Sequence, residues 1–284
     1  MIEDAGGAID YDERGSGPAV VLVPGSCSTG AAWRPIIEAW GERFRTVTTS
    51  LLGYGATAER RTPGDTSIFR EAEIVEAVLR RAGARVHLVG HSFGGLVALA
   101  VAVRGRADLA SLTIIEAPAV GLLQANGESR HYRTFRAMSD TYQTAFAAGN
   151  AQAIAAMIDF YGGPGTLASW PPRVRAYAVE TTPANILDWS SAYDFAPSAA
   201  SLAAIDLPAL VLRGGASHPA VQRANELVSA FLPRAELATV GGAAHFMIAT
   251  HPHEVGELIT CQIDTVERGR FRTGEALSAA SFPA

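Results

Sequence analysis

In Val86-His87-Leu88-Val89-Gly90-His91-Ser92-Phe93-Gly94-Gly95, a short apolar run gives way to a serine set among glycines. A segment that reads as helix follows, from Gly95 to Arg104. The run Val86–Val89 reads as a strand, and a strand passing straight into a helix requires a sharp turn at Ser92. Such a turn strains the backbone, so its flanking residues must be small. In return it lifts the hydroxyl clear of the sheet and points a helix N-terminus at whatever reacts there. The alternative is a glycine-rich turn carrying an incidental serine; the strand before and the helix after favour a nucleophile.

Outward from this point, apolar runs and helical periods alternate. Strands are expected at Ala19–Val23, Thr46–Ser50 and Ser111–Ile115, with helices at Ala31–Phe44 and Ile68–Arg81 between them. After Pro118 the alternation stops. Helical segments at 132–148, 151–161 and 172–180 follow one another with no convincing strand. It resumes with strand Ala209–Arg213, helix Val221–Leu232, strand Glu236–Val240 and helix Pro252–Glu267, while residues 269–284 have no clear period. Strands separated by helices predict an α/β fold with a mostly parallel central sheet flanked by helices, its ligands beyond the carboxyl ends of the strands. Residues 1–118 and 201–284 are expected to form that core. Residues 119–200 are expected to form a helical cap, inserted after the strand Ser111–Ile115.

Composition narrows the chemistry. Of 284 residues, 48% are hydrophobic and 18% charged, enough to bury a sizeable core, and the net charge of −5 comes without a long basic run. Nucleic acid and membrane surfaces are therefore not expected as partners; a small molecule is. All 23 basic residues are arginine. Without lysine there is no Schiff base, no lysine-linked pyridoxal phosphate and no Walker A loop. The two cysteines, Cys27 and Cys261, cannot build a thiolate zinc cluster, and such sparing use fits a reducing compartment. His251 and His253 lack a third ligand, so no metal is expected, and no cofactor. The stretch 86–103 has no Asp, Glu or Arg, but its central glycines, histidine and serine argue against a membrane span. No secretory signal is visible behind the acidic start, and the expected location is the cytoplasm. Oligomeric state is open.

From Gly6 to Glu267 the chain resembles the α/β-hydrolase family. Tyr11–Pro18 with Val20-Val-Leu-Val-Pro-Gly25 is similar to its first hairpin and oxyanion strand, Gly53-Tyr54-Gly55 to the loop after the next strand, and Gly242-Ala-Ala-His245 with His251-Pro252 to its histidine segment. The resemblance implies Ser92 as nucleophile and His245 as base. It also implies an oxyanion hole of backbone N–H groups from Phe93 and Ser26, although the family usually has His-Gly where this chain has Pro24-Gly25. The family most often carries its acid after the strand Leu210–Arg213, where this chain has Ser217 and no acid from Gly214 to Ala224. Some members, haloalkane dehalogenases among them, carry it after the preceding strand, and that position here is Glu116.

The implied activity is hydrolysis of a small to medium, largely apolar carboxylic ester, thioester or lactone through an acyl-enzyme. Carbon–carbon bond hydrolysis, perhydrolysis and a slow-turnover small-molecule receptor remain open alternatives. Phe135, Met138, Tyr142, Tyr161, Trp170 and Trp189 in the cap are candidates for the pocket or for the cap's own core. Cys27 reads as a small buried side chain beside the oxyanion loop, and His91 as packing against the sheet.

Overall fold

A computed structural model of the chain describes residues 1–4 and 6–279, with side chains through residue 269. A short antiparallel hairpin, β1 (Ile2–Asp4) and β2 (Gly7–Ile9), precedes the edge strand β3 (Asp12–Arg14). Next come β4 (Ala19–Val23), a 3₁₀ turn at Gly30–Trp33, α1 (Arg34–Trp40), β5 (Arg45–Thr48), α2 (Ile68–Ala82), β6 (Val86–His91), α3 (Phe93–Arg104) and β7 (Leu109–Ile115). A run of helices follows: α4 (Val120–Ala125), α5 (Ser129–Ala147), α6 (Ala155–Gly162), α7 (Thr166–Ser169), α8 (Pro172–Glu180), α9 (Thr182–Asp194) and α10 (Ala199–Ala203). The chain then forms β8 (Ala209–Gly214), α11 (Pro219–Phe231), β9 (Ala235–Val240), α12 (Met247–Thr250) and α13 (Pro252–Ala279).

The main sheet has the order β3-β5-β4-β6-β7-β8-β9, parallel except for β3. Tyr11–Pro18 does not form a hairpin with β4, contrary to expectation. β5 lies between β3 and β4, and the hairpin is formed earlier, by β1 and β2. Ala31–Phe44 is broken into a 3₁₀ turn and a shorter helix because Pro35 sits in the first turn of α1 and Gly41, at φ 59°, stops it. α13 continues past Glu267 to Ala279; the rest of 269–284 lies outside the described residues.

The inner strands are covered on both faces and largely apolar, as a covered parallel sheet requires, although β6 and β7 also bury His87, His91, Ser111 and Thr113 on one face. Val21, Leu88, Leu112, Ile114 and Val211 pack beneath α2, α3 and α11. Val20, Leu22, Val89, Ile115, Leu210 and Leu212 pack beneath α1 and α13, against Trp33, Ile36, Trp40, Ile259 and Ile263. Each such side chain contributes roughly 1.5–3 kcal/mol on burial. Among the described residues, no helix is long and apolar enough to cross a membrane. The apolar stretch from Val86 is a strand and a helix meeting at Ser92, both covered by protein.

That junction tolerates no extra atom. A Cβ on Gly94 would overlap the carbonyl oxygens of Val23 and Pro24, and one on Gly90 would overlap that of Gly94. These neighbours are backbone and cannot rotate away. Gly94→Ala is therefore expected to lower unfolding free energy by about 3 kcal/mol or more. Urea denaturation followed by circular dichroism measures this; a loss below 1 kcal/mol would show that the junction can relax.

Candidate active site

Ser92 caps α3 with φ 55° and ψ −127°, a conformation that side-chain-bearing residues rarely adopt. Its N–H donates to the Ile115 carbonyl of the neighbouring β7 (2.8 Å), and its carbonyl accepts from Gly95 and Leu96 (2.9 and 3.2 Å). The serine is thus locked from both sides at the carboxyl edge of the sheet.

His245 comes from the loop after β9 and is 2% exposed. Its Nε2 lies 2.9 Å from Ser92 Oγ and its Nδ1 lies 2.9 Å from Glu116 Oε2. Glu116 sits one residue past β7 at φ 50° and is wholly buried. Burial alone would raise its pKa. The hydrogen bond and charge of His245, together with the Gly214 N–H donating to Oε1 (2.7 Å), hold it below the usual carboxylate range. An ionised Glu116 can only accept, so Nδ1 carries the imidazole proton and Nε2 accepts from the serine hydroxyl.

The imidazole is boxed in. Tyr161 from α6 stacks on it with ring centroids 3.9 Å apart, and Phe246 meets it edge-on at 5.3 Å. His91 does more than pack against the sheet: its Nε2 bonds the His245 carbonyl (2.8 Å). A carbonyl accepts only, so this Nε2 bears hydrogen. Burial, first, and the facing His245 push the His91 pKa down to about 3, so its ring is neutral at ordinary pH. Ser217, at the position of the acid usual in the family, is buried, and its hydroxyl helps hold the Glu116 carboxyl low.

A cavity of about 40 Å³ opens beside Ser92, room for roughly three waters. Ser26, Cys27 and Phe93 line it from below, and Met157, Ile158, Tyr161, Trp170, Asn185, Asp188 and Trp189 from the helices above. Three of the six cap candidates are not among these. Phe135 and Tyr142 are fully buried behind the lining, Phe135 against Phe160, Tyr161 and Trp189, and Tyr142 donating to Asn185 Oδ1 (2.7 Å). Met138 likewise lies in the core. All three are large side chains on the inner face of α5, and helical spacing alone cannot tell a cavity wall from the layer behind it. Cys27 lines the cavity, but burial and the nearby Asp188 push its thiol up to about 12, so it carries no thiolate. Among the described residues no three His, Cys, Asp or Glu side chains gather as metal ligands.

A second buried cluster adjoins the cavity. The Arg61 guanidinium, with its side chain fully buried, reaches Asp188 (2.7 Å), Glu71 (3.1 Å) and Glu59 (2.7 Å). Asp188 also accepts from Ser26 Oγ (2.5 Å) and Tyr54 OH (2.6 Å). Arg61 leaves no sequence signal, because Glu59-Arg60-Arg61 reads as a solvated charge run. Glu71 does leave one: it falls at helical spacing with Ile68, Val75 and Leu79, on the apolar face of α2.

Residues 20–258 match the sequence profile of the α/β hydrolase family. Over 93 residues the chain is 33% identical to a pimeloyl-(acyl-carrier protein) methyl ester esterase of Aliivibrio salmonicida, 33% of each protein. Over 103 residues it is 34% identical to haloalkane dehalogenase 2 of Mycobacterium bovis, 36% of this chain and 35% of that one. These matches therefore span about a third of the curated relatives' length. The fold is similar to that of Est816, an N-acyl homoserine lactone degrading enzyme, with a TM-score of 0.72 at 20% identity over 91% of this chain and 98% of that one. The chain belongs to the α/β hydrolase family.

The ion cluster has consequences for stability. Arg61→Ala leaves buried carboxylates without their counter-charge and is expected to cost about 3–5 kcal/mol by denaturant titration. Burial pushes Glu71 up to about 8 from its ordinary 4.5, against the pull of Arg61. A carboxyl whose pKa is raised by folding adds stability that is complete below the ordinary value and lost as pH rises towards the raised one. Glu71→Gln, which mimics the protonated form, should flatten the decline in Tm between pH 5 and 8. An unchanged decline would place its origin elsewhere.

Proposed function

We propose that this α/β hydrolase is a serine hydrolase that cleaves a small to medium, largely apolar carboxylic ester, thioester or lactone through an acyl-enzyme. One observation carries the reading: an unbroken hydrogen-bonded path from Ser92 Oγ through His245 to Glu116, opening on an apolar cavity. Ser92 is the nucleophile, His245 the base and Glu116 the acid.

In this mechanism Ser92 Oγ attacks the carbonyl carbon as its proton passes to His245 Nε2. The imidazolium so formed is stabilised by the ionised Glu116 on Nδ1, and Tyr161 keeps the ring from turning away. The developing oxyanion is taken by the backbone N–H groups of Phe93 and Ser26. Phe93 N–H is the first of α3 and has no partner within the helix, so it is available with the helix dipole behind it. Gly25 lies so close that a Cβ there would come within 2.8 Å of Ser92 Cβ, which brings the Ser26 peptide to the same place. Collapse of the intermediate sends the proton from His245 to the leaving oxygen or sulfur, and water then repeats the sequence on the acyl-enzyme.

Residues 119–200 act as the cap. With about 40 Å³ of free space, an acyl group longer than a few carbons requires cap side chains to move. Trp170 is partly buried against the large core cluster and meets Phe246 edge-on, so it forms the movable rim; Trp189 is packed between Phe135 and Tyr193.

Ser92→Ala should abolish labelling by a fluorophosphonate and reduce turnover of p-nitrophenyl acetate by about 10³-fold or more. Labelling that persists overturns the assignment. Glu116→Gln should cost on the order of 10³–10⁴ in kcat and Ser217→Ala less than about tenfold; the reverse order would make Ser217, not Glu116, the group that orients His245. Trp170→Ala should raise kcat/KM for hexanoyl over acetyl esters. Trp189→Ala should instead lower stability by about 3–5 kcal/mol, both read from an ester-length panel with thermal melts.

A further inference from the structure

The loop that carries the Ser26 N–H runs from Pro24 to Thr29 without regular structure, and Cys27 within it is held at φ 55°. A strained loop keeps its shape only where its surroundings impose it. An oxyanion donor also has to be held to a fraction of an ångström to be useful. Here the hold comes from the far side of the cavity. Ser26 Oγ donates to Asp188 Oδ2 at 2.5 Å, and Asp188 belongs to α9 in the cap, 162 residues away in sequence.

Asp188 is itself immobile. It is 2% exposed, Tyr54 OH donates to the same Oδ2 at 2.6 Å, and Arg61 donates to Oδ1 at 2.7 Å. With its hydroxyl bound, Ser26 keeps one rotamer, and its peptide plane is restrained with it. The arrangement carries an electrostatic penalty, since a carboxylate beside a developing oxyanion opposes it. Arg61 answers this, because its guanidinium sits against Asp188 and is fully buried, where its charge is poorly screened.

We propose that Asp188 is a positioning residue that holds the oxyanion-hole loop in its working shape through Ser26 Oγ, so that the hole is complete only while the cap helix α9 is docked on the core. The proposal rests on the assignment of Ser26 N–H as an oxyanion donor. It gives the cap a part in the chemical step as well as in selecting substrates. An ester that binds with the cap docked meets a finished oxyanion hole, and one that wedges α9 away meets a loosened one.

The test uses the full chain with p-nitrophenyl acetate as substrate and an alkyl trifluoromethyl ketone as inhibitor. The ketone adds the serine oxygen and places a real oxyanion in the hole. Asp188→Asn and Ser26→Ala should each lower kcat by about ten- to a hundredfold, with KM within about threefold of wild type. The inhibition constant of the ketone should rise by the same factor as kcat falls, because both read the hole and ground-state binding does not. Asp188→Asn/Ser26→Ala should be no worse than the poorer single variant, since the two changes break one tether.

Unchanged kcat and ketone affinity in either variant, with only a lowered Tm, would reduce Asp188 to a structural pin and overturn the proposal. So would losses that multiply in the double variant. Should Asp188→Asn fail to fold, Ser26→Ala alone still decides, since it removes the tether and leaves the ion cluster in place. Ser92→Ala separates this inference from the one beneath it. If that variant turns over, the acyl-enzyme reading fails; if it is inert while Ser26→Ala is fully active, only the role of Asp188 fails.

Discussion

Backbone meeting backbone at Gly90, Gly94 and Pro24 is the constraint from which the rest of the site is built. β6 can turn directly into α3 only if nothing protrudes at those points. Ser92, the residue caught in the turn, then has to accept φ 55°. The hydrogen bond from Ser92 N–H to Ile115 ties the turn to β7, and the residue after Ile115 is Glu116. One local contact therefore sets both the height of the hydroxyl above the sheet and its distance from the carboxylate two bonds of the network away.

Strain and buried charge concentrate around the cavity. Cys27, Ser92 and Glu116 all have positive φ without being glycine, and all three adjoin it or the imidazole. Such conformations each cost on the order of 1–3 kcal/mol and persist where packing over-determines them. The two buried carboxylates there behave differently. Glu116 receives one backbone N–H and one imidazole N–H and is held below the usual range. Asp188 receives a serine, a tyrosine and an arginine, yet burial outweighs them and leaves its pKa raised. Hydrogen bonds to the charged form win for Glu116. Around Arg61, Glu59 and Glu71 compete with Asp188 for a single positive charge.

The placement of the Glu116 carboxylate depends on its neighbour strand as much as on its own. β7 and β8 run parallel and adjacent, so the end of β8 presents the Gly214 N–H to Glu116 Oε1. Gln222 in turn binds the carbonyls of Gly214 and Gly215, which steadies that end. Ser217 is buried nearby in place of a charge, so the end of β8 supplies a backbone donor to the Glu116 carboxylate and no competing carboxylate. Asp206, at the opposite end of β8, is exposed and pairs with Arg234 on the surface.

The amino-acid sequence by itself determined the alternation of strands and helices, its interruption by helices between Ile115 and Ala209, and the serine at a strand–helix junction. These features depend on neighbours within a few residues: apolar period, glycine spacing and the steric demands of one turn. It also pointed to Glu116, through the absence of any acid from Gly214 to Ala224. Only the tertiary structure decided that β5 separates β3 from β4, that Phe135 and Tyr142 lie behind the cavity wall, and that His91 holds the backbone of His245. The same is true of Asp188, which meets Arg61 and Glu71 from a remote helix. A charged side chain in a loop has the same local pattern whether it faces water or a buried partner. The difference is made by which remote helix is packed on top of it, and local spacing carries no record of that.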